Sequence, residues 1–373
     1  MTLQEAFAQV DDHRRGPARR HDLQEMIVMA VCAVLCGADG WVDVADWCEG
    51  EEEWLKTFLV LKNGTPSHDT FGEVFRILDA TVFERCFRQW VASLVGVAEG
   101  VVAFDGKTVR GSKDGQNSAL HLVSAYATTL GVSLGQEGSA GKGNELAAIK
   151  ALLDTLVLKG CIVTMDALGC QTDVAAKIVT QGGDYVLAVK DNQKNLSQAI
   201  IEFFDTAEVL AFRNIDVEKR TTIEKNHGRI ETRRAVFVPD VSWMDKPMRE
   251  NWKKLAAIGM IESEQEIKGQ ASIERRYFIV SAGVKTVEQF ADAARAHWGV
   301  EAMHWVLDVT FREDDCRVRK GHAARNLSAI RKFALSALRT DTLHPTLSLR
   351  RRRKLADRHP EYRATVLGIK LPL

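Results

Sequence analysis

This sequence has no CxxC pair. Its seven cysteines, at 32, 36, 48, 86, 161, 170 and 316, are odd in number and scattered over 373 residues. That pattern argues against a disulfide framework and a zinc site, and for reduced thiols in a cytosolic protein. Long apolar runs are missing too. The longest, Met26 to Ala38, is too short to span a bilayer and is flanked by Glu25 and Asp39. The start, "MTLQEAFAQVDDHRRG", lacks a signal-peptide core, so the expectation is a soluble, cytoplasmic chain with no membrane partner. No GxGxxG or Walker A run follows a strand, and "GQEGSAGKG" lacks the P-loop spacing, so a nucleotide-cofactor enzyme fits poorly. There is no internal repeat and no low-complexity linker.

What is present is a chain with 46% hydrophobic residues, enough for a substantial core and two or three structural units. The formal net charge of zero hides an asymmetry. The first hundred residues are net acidic, and residues 301–373 are net basic by the same margin. A basic C-terminal part suits a polyanion partner, although a solvated basic surface gives the same composition.

Residues 1–98 read as short helices. Asp22 is a cap for "LQEMIVMAVCAVLC", and Ser67 or Asp69 restarts the chain after Gly64 and Pro66. A helix-turn-helix DNA reader is one reading of this stretch, and a small helical bundle is the other. Residues 99–340 change texture and read β-β-β-α-β-α-β-α. The first three strands form a meander, and the later strands, joined by helices, run parallel. "NELAAIKALLDTLVLKG" is expected as a helix capped by Asn144 and closed by Gly160. Residues 210–284 alternate polar and apolar, as an inserted antiparallel β segment would. A long helix is expected from about Thr286 to Phe311. Residues 341–373, with "RRRRK" at Arg350 to Lys354, are expected as a mobile basic tail.

The acids carry the functional signal. "VVAFD" and "IVTMD" each end a strongly apolar run in a carboxylate, Asp105 and Asp166. An unpaired acid there is costly. One such acid is equally well explained by a helix cap or by pairing with Lys107 or Arg110. Two on neighbouring strands repel unless a cation lies between them. Oxygen-only donors favour Mg²⁺ or Mn²⁺. A third acid is odd in another way. Glu301 lies three residues after Trp298 and four before Trp305, on the apolar side of its helix, so it must be paired, protonated or metal-bound. Three carboxylates suffice for two ions about 3.5–4 Å apart, the spacing of in-line phosphoryl chemistry. An ion pair with Arg295 or His297 is the bland explanation for Glu301.

"AFDGK", "TMDALG" and "HWGVE", in that order on this element pattern, resemble the RNase H-like core of DDE insertion-sequence transposases. The ISAs-type, H-repeat-associated group is the most similar. "HDLQEMIVMAVCAVLCGADGWVDVADW" and "NGTPSHDTF" resemble that group's N-terminal associated domain. "FDGKTVRGS", "VTMDALGCQ", "KNHGRIETR" and "LDVTFREDDCRVRKG" resemble its catalytic blocks. The resemblance covers nearly the whole chain. It implies an α/β, RNase H-like mixed sheet flanked by helices, with metal-dependent cleavage at transposon ends and strand transfer. Asp105, Asp166 and Glu301 would be the triad holding two Mg²⁺ or Mn²⁺ ions. It also implies double-stranded DNA as partner, both terminal inverted repeats and target, and a homodimer on paired ends in a nucleoid-associated protein. The chain departs from relatives that place Tyr, Arg, Glu and Lys along this helix. The matching positions here are Ala294, His297, Glu301 and Asp308, and only the glutamate survives. Glu313 in "FREDD" stays a rival third ligand, though a residue on a rigid helix is better preorganised. Asp308, two turns on, would stand behind Glu301.

Cleavage at a defined end needs phosphate contacts for register. Lys107 and Arg110 follow the first aspartate. Lys190, Asn192 and Gln193 follow the last core strand. His227, Arg229 and Arg233 lie in "HGRIETR", the two arginines an even number of residues apart and so on one strand face. Arg317, Arg319 and Lys320 end the last block. Singly, each reads as a solvated surface group. Together around three acids they read as a phosphate-binding set. The rival functions are an RNase H-like nuclease without strand transfer and a catalytically inactive DNA-binding remnant of a mobile element.

Overall fold

The protein is described here from a computed structural model covering residues 2–96, 98–115, 118–226, 229–267 and 270–371. It contains two compact units. One comprises Met1–Ala98, Gly106–Asn144 and Glu301–Leu373, and the other Glu99–Asp105 and Glu145–Val300.

The first unit begins with helices α1 (Leu3–Phe7), α2 (Leu23–Cys36), α3 (Trp41–Gly50), α4 (Glu52–Leu55), α5 (His68–Ile77) and α6 (Ala80–Val95). The expected caps are present. Asp22 accepts from the Glu25 amide at 3.0 Å, and Ser67 accepts from the Thr70 amide. Strand β1 (Gly100–Thr108) contributes its last residues to this unit, followed by the hairpin β2 (His121–Ala127) and β3 (Val132–Ser139). The hairpin turns at Gly131, whose φ of 71° favours glycine. The strand order here is β3-β2-β1.

The second unit carries the first residues of β1, then α7 (Leu146–Leu153), β4 (Cys161–Met165), α8 (Thr172–Thr180), β5 (Asp184–Val189) and α9 (Lys194–Val209). After them come β6 (Glu218–Asn226), β7 (Arg229–Val238), α10 (Lys246–Glu250), β8 (Leu255–Ile267), β9 (Gln270–Ser281) and α11 (Val287–Ala296). Its strand order is β1-β4-β5-β9-β8-β7-β6. Strands β4 and β5 run parallel, as crossover helices require, and β6 to β9 are antiparallel. Strands β1 to β5 thus form the mixed, RNase H-like arrangement expected. The segment expected as a β insertion is an extension of that sheet, because β9 pairs directly with β5.

Helix α11 lies on the extended sheet, with Phe290 packed among Phe237, Phe278 and Val280. Gly259 makes room for it: a Cβ there would stand 2.2 Å from Phe290 Cζ. In the first unit the centre is α2 and α13 (Ala323–Thr340), both buried along most of their length. Phe333 stacks on Trp90 with ring centroids 3.7 Å apart and also meets Phe7 and Phe87.

Four expectations need correction. The helix from Asn144 to Gly160 is only Leu146–Leu153, preceded by Glu145 with no side-chain cap. The long helix from Thr286 breaks at His297, which caps α11, and α12 (Trp298–Val309) follows. The tryptophan side of α12 is not its buried side. Trp298 and Trp305 are 40% and 63% exposed, while Val300, Met303 and Leu307 are buried. Residues 341–373 hold two helices, α14 (Leu349–Arg358) and α15 (Pro360–Leu367). Arg352 and Arg353 are buried there and donate to backbone carbonyls, including Leu338 for the first and Val34 and Ala38 for the second.

Candidate active site

Asp105 lies within β1 and Asp166 directly after β4. Phe104 of β1 is in register with Met165 of the parallel β4, so Asp105 and Asp166 are each one residue beyond the last paired position of these neighbouring strands. Asp166 stops β4 by capping the turn Ala167–Gly169, accepting from the Leu168 amide at 3.1 Å and the Gly169 amide at 3.4 Å. Only glycine fits at 169, since a Cβ would lie 2.6 Å from Met165 Sδ. Asp105 is half-buried and Asp166 exposed.

His297 lies close enough to both aspartates to feel their charge. Its Nδ1 is 3.1 Å from Thr164 Oγ1, one strand position before Met165. Burial pushes its pKa down, and the negative charges of Asp105 and Asp166 oppose that shift. Neither His297 nor Thr164 stood out as a site residue in sequence. The spacing between His297 and Glu301 was visible, but the partner strand was not.

Glu301 is exposed in the first turn of α12. Among the described residues no three His, Cys, Asp or Glu side chains form a group that could hold a metal ion. Asp105, Asp166 and His297 all belong to the second unit, where both carboxylates act electrostatically on the imidazole. The rival Glu313 is 1% exposed, and its Oε2 accepts from Lys107 Nζ at 2.9 Å.

The expected DNA-contacting residues divide into several kinds. Lys107 departs most from expectation. Its amine is 11% exposed and sits among Asp308, Glu313 and Asp314 at 2.5, 2.9 and 3.2 Å. Arg110 is 84% exposed, with Asp314 3.5 Å away. Lys190 is exposed at the end of β5. Asn192 and Gln193 point back to the Asp166 turn. Asn192 donates to the carbonyls of Ala167 at 2.6 Å and Cys170 at 3.3 Å, and Gln193 donates to Cys170 at 3.1 Å. They brace the turn rather than present their amides outward. His227 and the side chain of Arg229 lie outside the described residues. Arg233 is half-buried and paired with Glu231 and Glu224. Arg317, Arg319 and Lys320 are exposed, and Arg319 donates to the Gly111 carbonyl at 3.1 Å.

Within the second unit, a groove of about 690 Å³ runs over β6–β9 beside α11. Arg220, Arg233, Arg276 and Arg295 line it, with Trp298 at one side. Each arginine has an acid partner, Arg220 with Asp292 at 2.6 Å and Arg295 with Glu224 at 3.1 Å among them. Arg276 pairs with Glu274 and lies 4.9 Å from the Trp298 ring centroid. No single helix among the described residues is long and apolar enough to cross a membrane.

The DDE_Tnp_1-associated model matches residues 4–91, and the Transposase DDE domain model matches residues 70–337. The chain is 37% identical to "H repeat-associated putative transposase YhhI" of Escherichia coli (strain K12), covering 98% of this chain and 97% of that protein. It is 39% identical to "Putative transposase YncI" of Escherichia coli O157:H7, covering 91% and 87%. Among solved structures it is similar to a piggyBac transposase synaptic complex with hairpin DNA, at a TM-score of 0.45 and 12% identity, over 100% of this chain and 77% of that one. Extended over this length at this identity, the match is decisive: the chain belongs to the DDE transposase family.

Proposed function

We propose that this protein is the transposase of an insertion sequence, binding double-stranded DNA at terminal inverted repeats, cutting at the element ends and joining the 3′-hydroxyls to target DNA. The observation that carries this reading is the pair of carboxylates, Asp105 and Asp166, each one residue past the last paired position of the parallel strands β1 and β4. In-line phosphoryl transfer asks for negative groups held rigidly where a phosphate must be approached.

The donor chemistry fits Mg²⁺ or Mn²⁺, because both side chains offer only oxygen. Asp105 and Asp166 would hold the ions, with Glu301 of α12 as the third carboxylate. Bound there, two ions supply the Lewis acidity that activates the attacking hydroxyl and stabilises the leaving oxygen. Asp166 is fixed by the two amides it caps, and that turn is braced by Asn192 and Gln193. His297 lies within electrostatic reach of both aspartates, and burial lowers its pKa, which favours the neutral ring beside them. Arg110, Lys190, Arg317, Arg319 and Lys320 present exposed charge to the phosphate backbone. The acting form is a homodimer on paired ends.

The test is strand cleavage on a labelled duplex carrying the DNA that flanks the gene, with Mg²⁺ or Mn²⁺. Cutting at the repeat end that disappears in Asp105→Ala, Asp166→Ala and Glu301→Ala supports the reading. Cutting that ignores the repeats, with no joined product, makes the protein a nuclease. Binding without cutting under either metal makes it a DNA-binding remnant.

A further inference from the structure

Helix α14 divides its charges between two faces. Arg352, Arg353 and Ala356 are buried in the first unit, while Arg350, Arg351, Lys354 and Arg358 are exposed. At about 100° of rotation per residue, the four exposed bases share an arc of about 100°, and the stripe from Arg350 to Arg358 is about 12 Å long. Asp357, the only acid of the helix, lies at the edge of that arc. None of the four bases makes an ion pair among the described residues. Other exposed bases of this unit do find acids, as Arg76 does in Glu73 at 2.6 Å and Lys56 in Glu52 at 2.9 Å.

The stripe works against the helix that carries it. Arg350 and Arg351 stand in a first turn that holds no acid, where the helix dipole repels a cation. Arg350 and Lys354, and then Lys354 and Arg358, are like charges four residues apart, and each such pair weakens a helix. A merely solvated face is served as well by mixed signs. The helix holds because its other face is anchored. Arg352 donates to the carbonyls of Leu338 and Pro345, and Arg353 to those of Val34 and Ala38. The anchor also places the stripe. Arg353 donates to the Thr310 carbonyl, two residues before Arg312 opens the exposed series Arg312, Arg317, Arg319 and Lys320. A rigid row of unneutralised cations is complementary to a polyanion of regular spacing. Double-stranded DNA carries one negative charge per about 1.7 Å of axis, so a stripe of this length meets several phosphates.

We propose that Arg350, Arg351, Lys354 and Arg358 of α14 form a docking surface for the phosphate backbone of double-stranded DNA, gripping it without regard to sequence. This rests on the transposase reading above and adds four residues to the DNA-contacting set.

The experiment uses full-length protein in EDTA with two labelled duplexes of equal length, one carrying the DNA that flanks the gene and one of unrelated sequence. Wild type is compared with the triple variant Arg350→Gln, Lys354→Gln, Arg358→Gln, and with a charge-matched control, Arg20→Gln, Lys62→Gln, Arg85→Gln. Affinity is measured against salt, and thermal unfolding is followed in parallel. A backbone surface predicts that the α14 variant binds both duplexes about tenfold or more weaker, with a salt slope reduced by about two to three. Its Tm should hold or rise, because the substitutions relieve repulsion. The control should keep most of the affinity. Unchanged affinity and slope in the α14 variant would overturn the proposal and leave a solvated face. An equal loss in the control would overturn it too, since net charge alone would then account for binding. A loss confined to the flanking-sequence duplex would identify base contacts instead. If the wild type binds neither duplex but sediments with phosphatidylserine vesicles through α14, the partner is a membrane surface and the proposal falls. If the wild type binds both duplexes equally and never cuts, the transposase reading fails on its own, and the unrelated duplex still decides the stripe.

Discussion

Lys107 and Glu313 form an ion pair of 2.9 Å with side chains 11% and 1% exposed. Burial alone would raise the Glu313 carboxyl, but Lys107, Lys332 and Arg331 overcome it and hold the group at about 2. The folded pKa is thus below the ordinary 4.5. Its contribution to stability is complete above the unfolded value and disappears as pH falls through about 2. Urea unfolding followed from pH 6 downward should show that loss in wild type, and Glu313→Gln should flatten it. At pH 7 the same substitution leaves buried cations without their anion and should cost about 3–5 kcal/mol.

Asn192 offers a test of the Asp166 turn. Asn192→Ala removes two hydrogen bonds to the carbonyls of Ala167 and Cys170. The stability cost should be only about 1 kcal/mol, because the side chain is exposed. Cleavage should fall about tenfold or more, while DNA affinity stays at the wild-type value. An equal loss of affinity at unchanged single-turnover rate would make Asn192 a DNA contact instead.

Gly259 should be intolerant of the smallest substitution. Gly259→Ala drives a methyl into the Phe290 ring and should cost about 1–3 kcal/mol by chemical denaturation. Pairing it with Phe290→Leu should recover part of that loss, since the two positions share one space.

The arginine run near the C-terminus should divide sharply. Arg353 donates to Val34, Ala38 and Thr310 carbonyls and covers the Phe311 ring. Arg353→Ala should cost about 3 kcal/mol or more, and lysine should not replace it, because one ammonium cannot reproduce the planar fork. Arg350 and Arg351 are exposed, and alanine at either should change stability by less than about 0.5 kcal/mol. Thermal unfolding of the three variants checks this.

Much of the fold could be read locally. Apolar runs ending in aspartate marked β1 and β4, and Asp22 and Ser67 announced their helices, because caps and alternation depend on neighbours in sequence. The pairing of β9 with β5 could not be read that way, since alternation says a strand is antiparallel but not which edge it joins. His297 was hidden for a related reason. Its importance comes from Thr164 and two aspartates on strands far away in the chain.

The sequence by itself determined the order of elements, the carboxylates that end the apolar runs and the family, because those follow from residue type and short spacing. Tertiary structure alone decided what the charges do. Lys107 looked like a DNA contact until three acids some two hundred residues away enclosed it. "RRRRK" looked like a solvated tail until two of its arginines turned inward onto backbone carbonyls. Trp298 and Trp305 looked like core until α12 turned its other face to the interior. A charged or aromatic side chain is defined by its partner, and the partner is chosen by packing across the chain rather than along it.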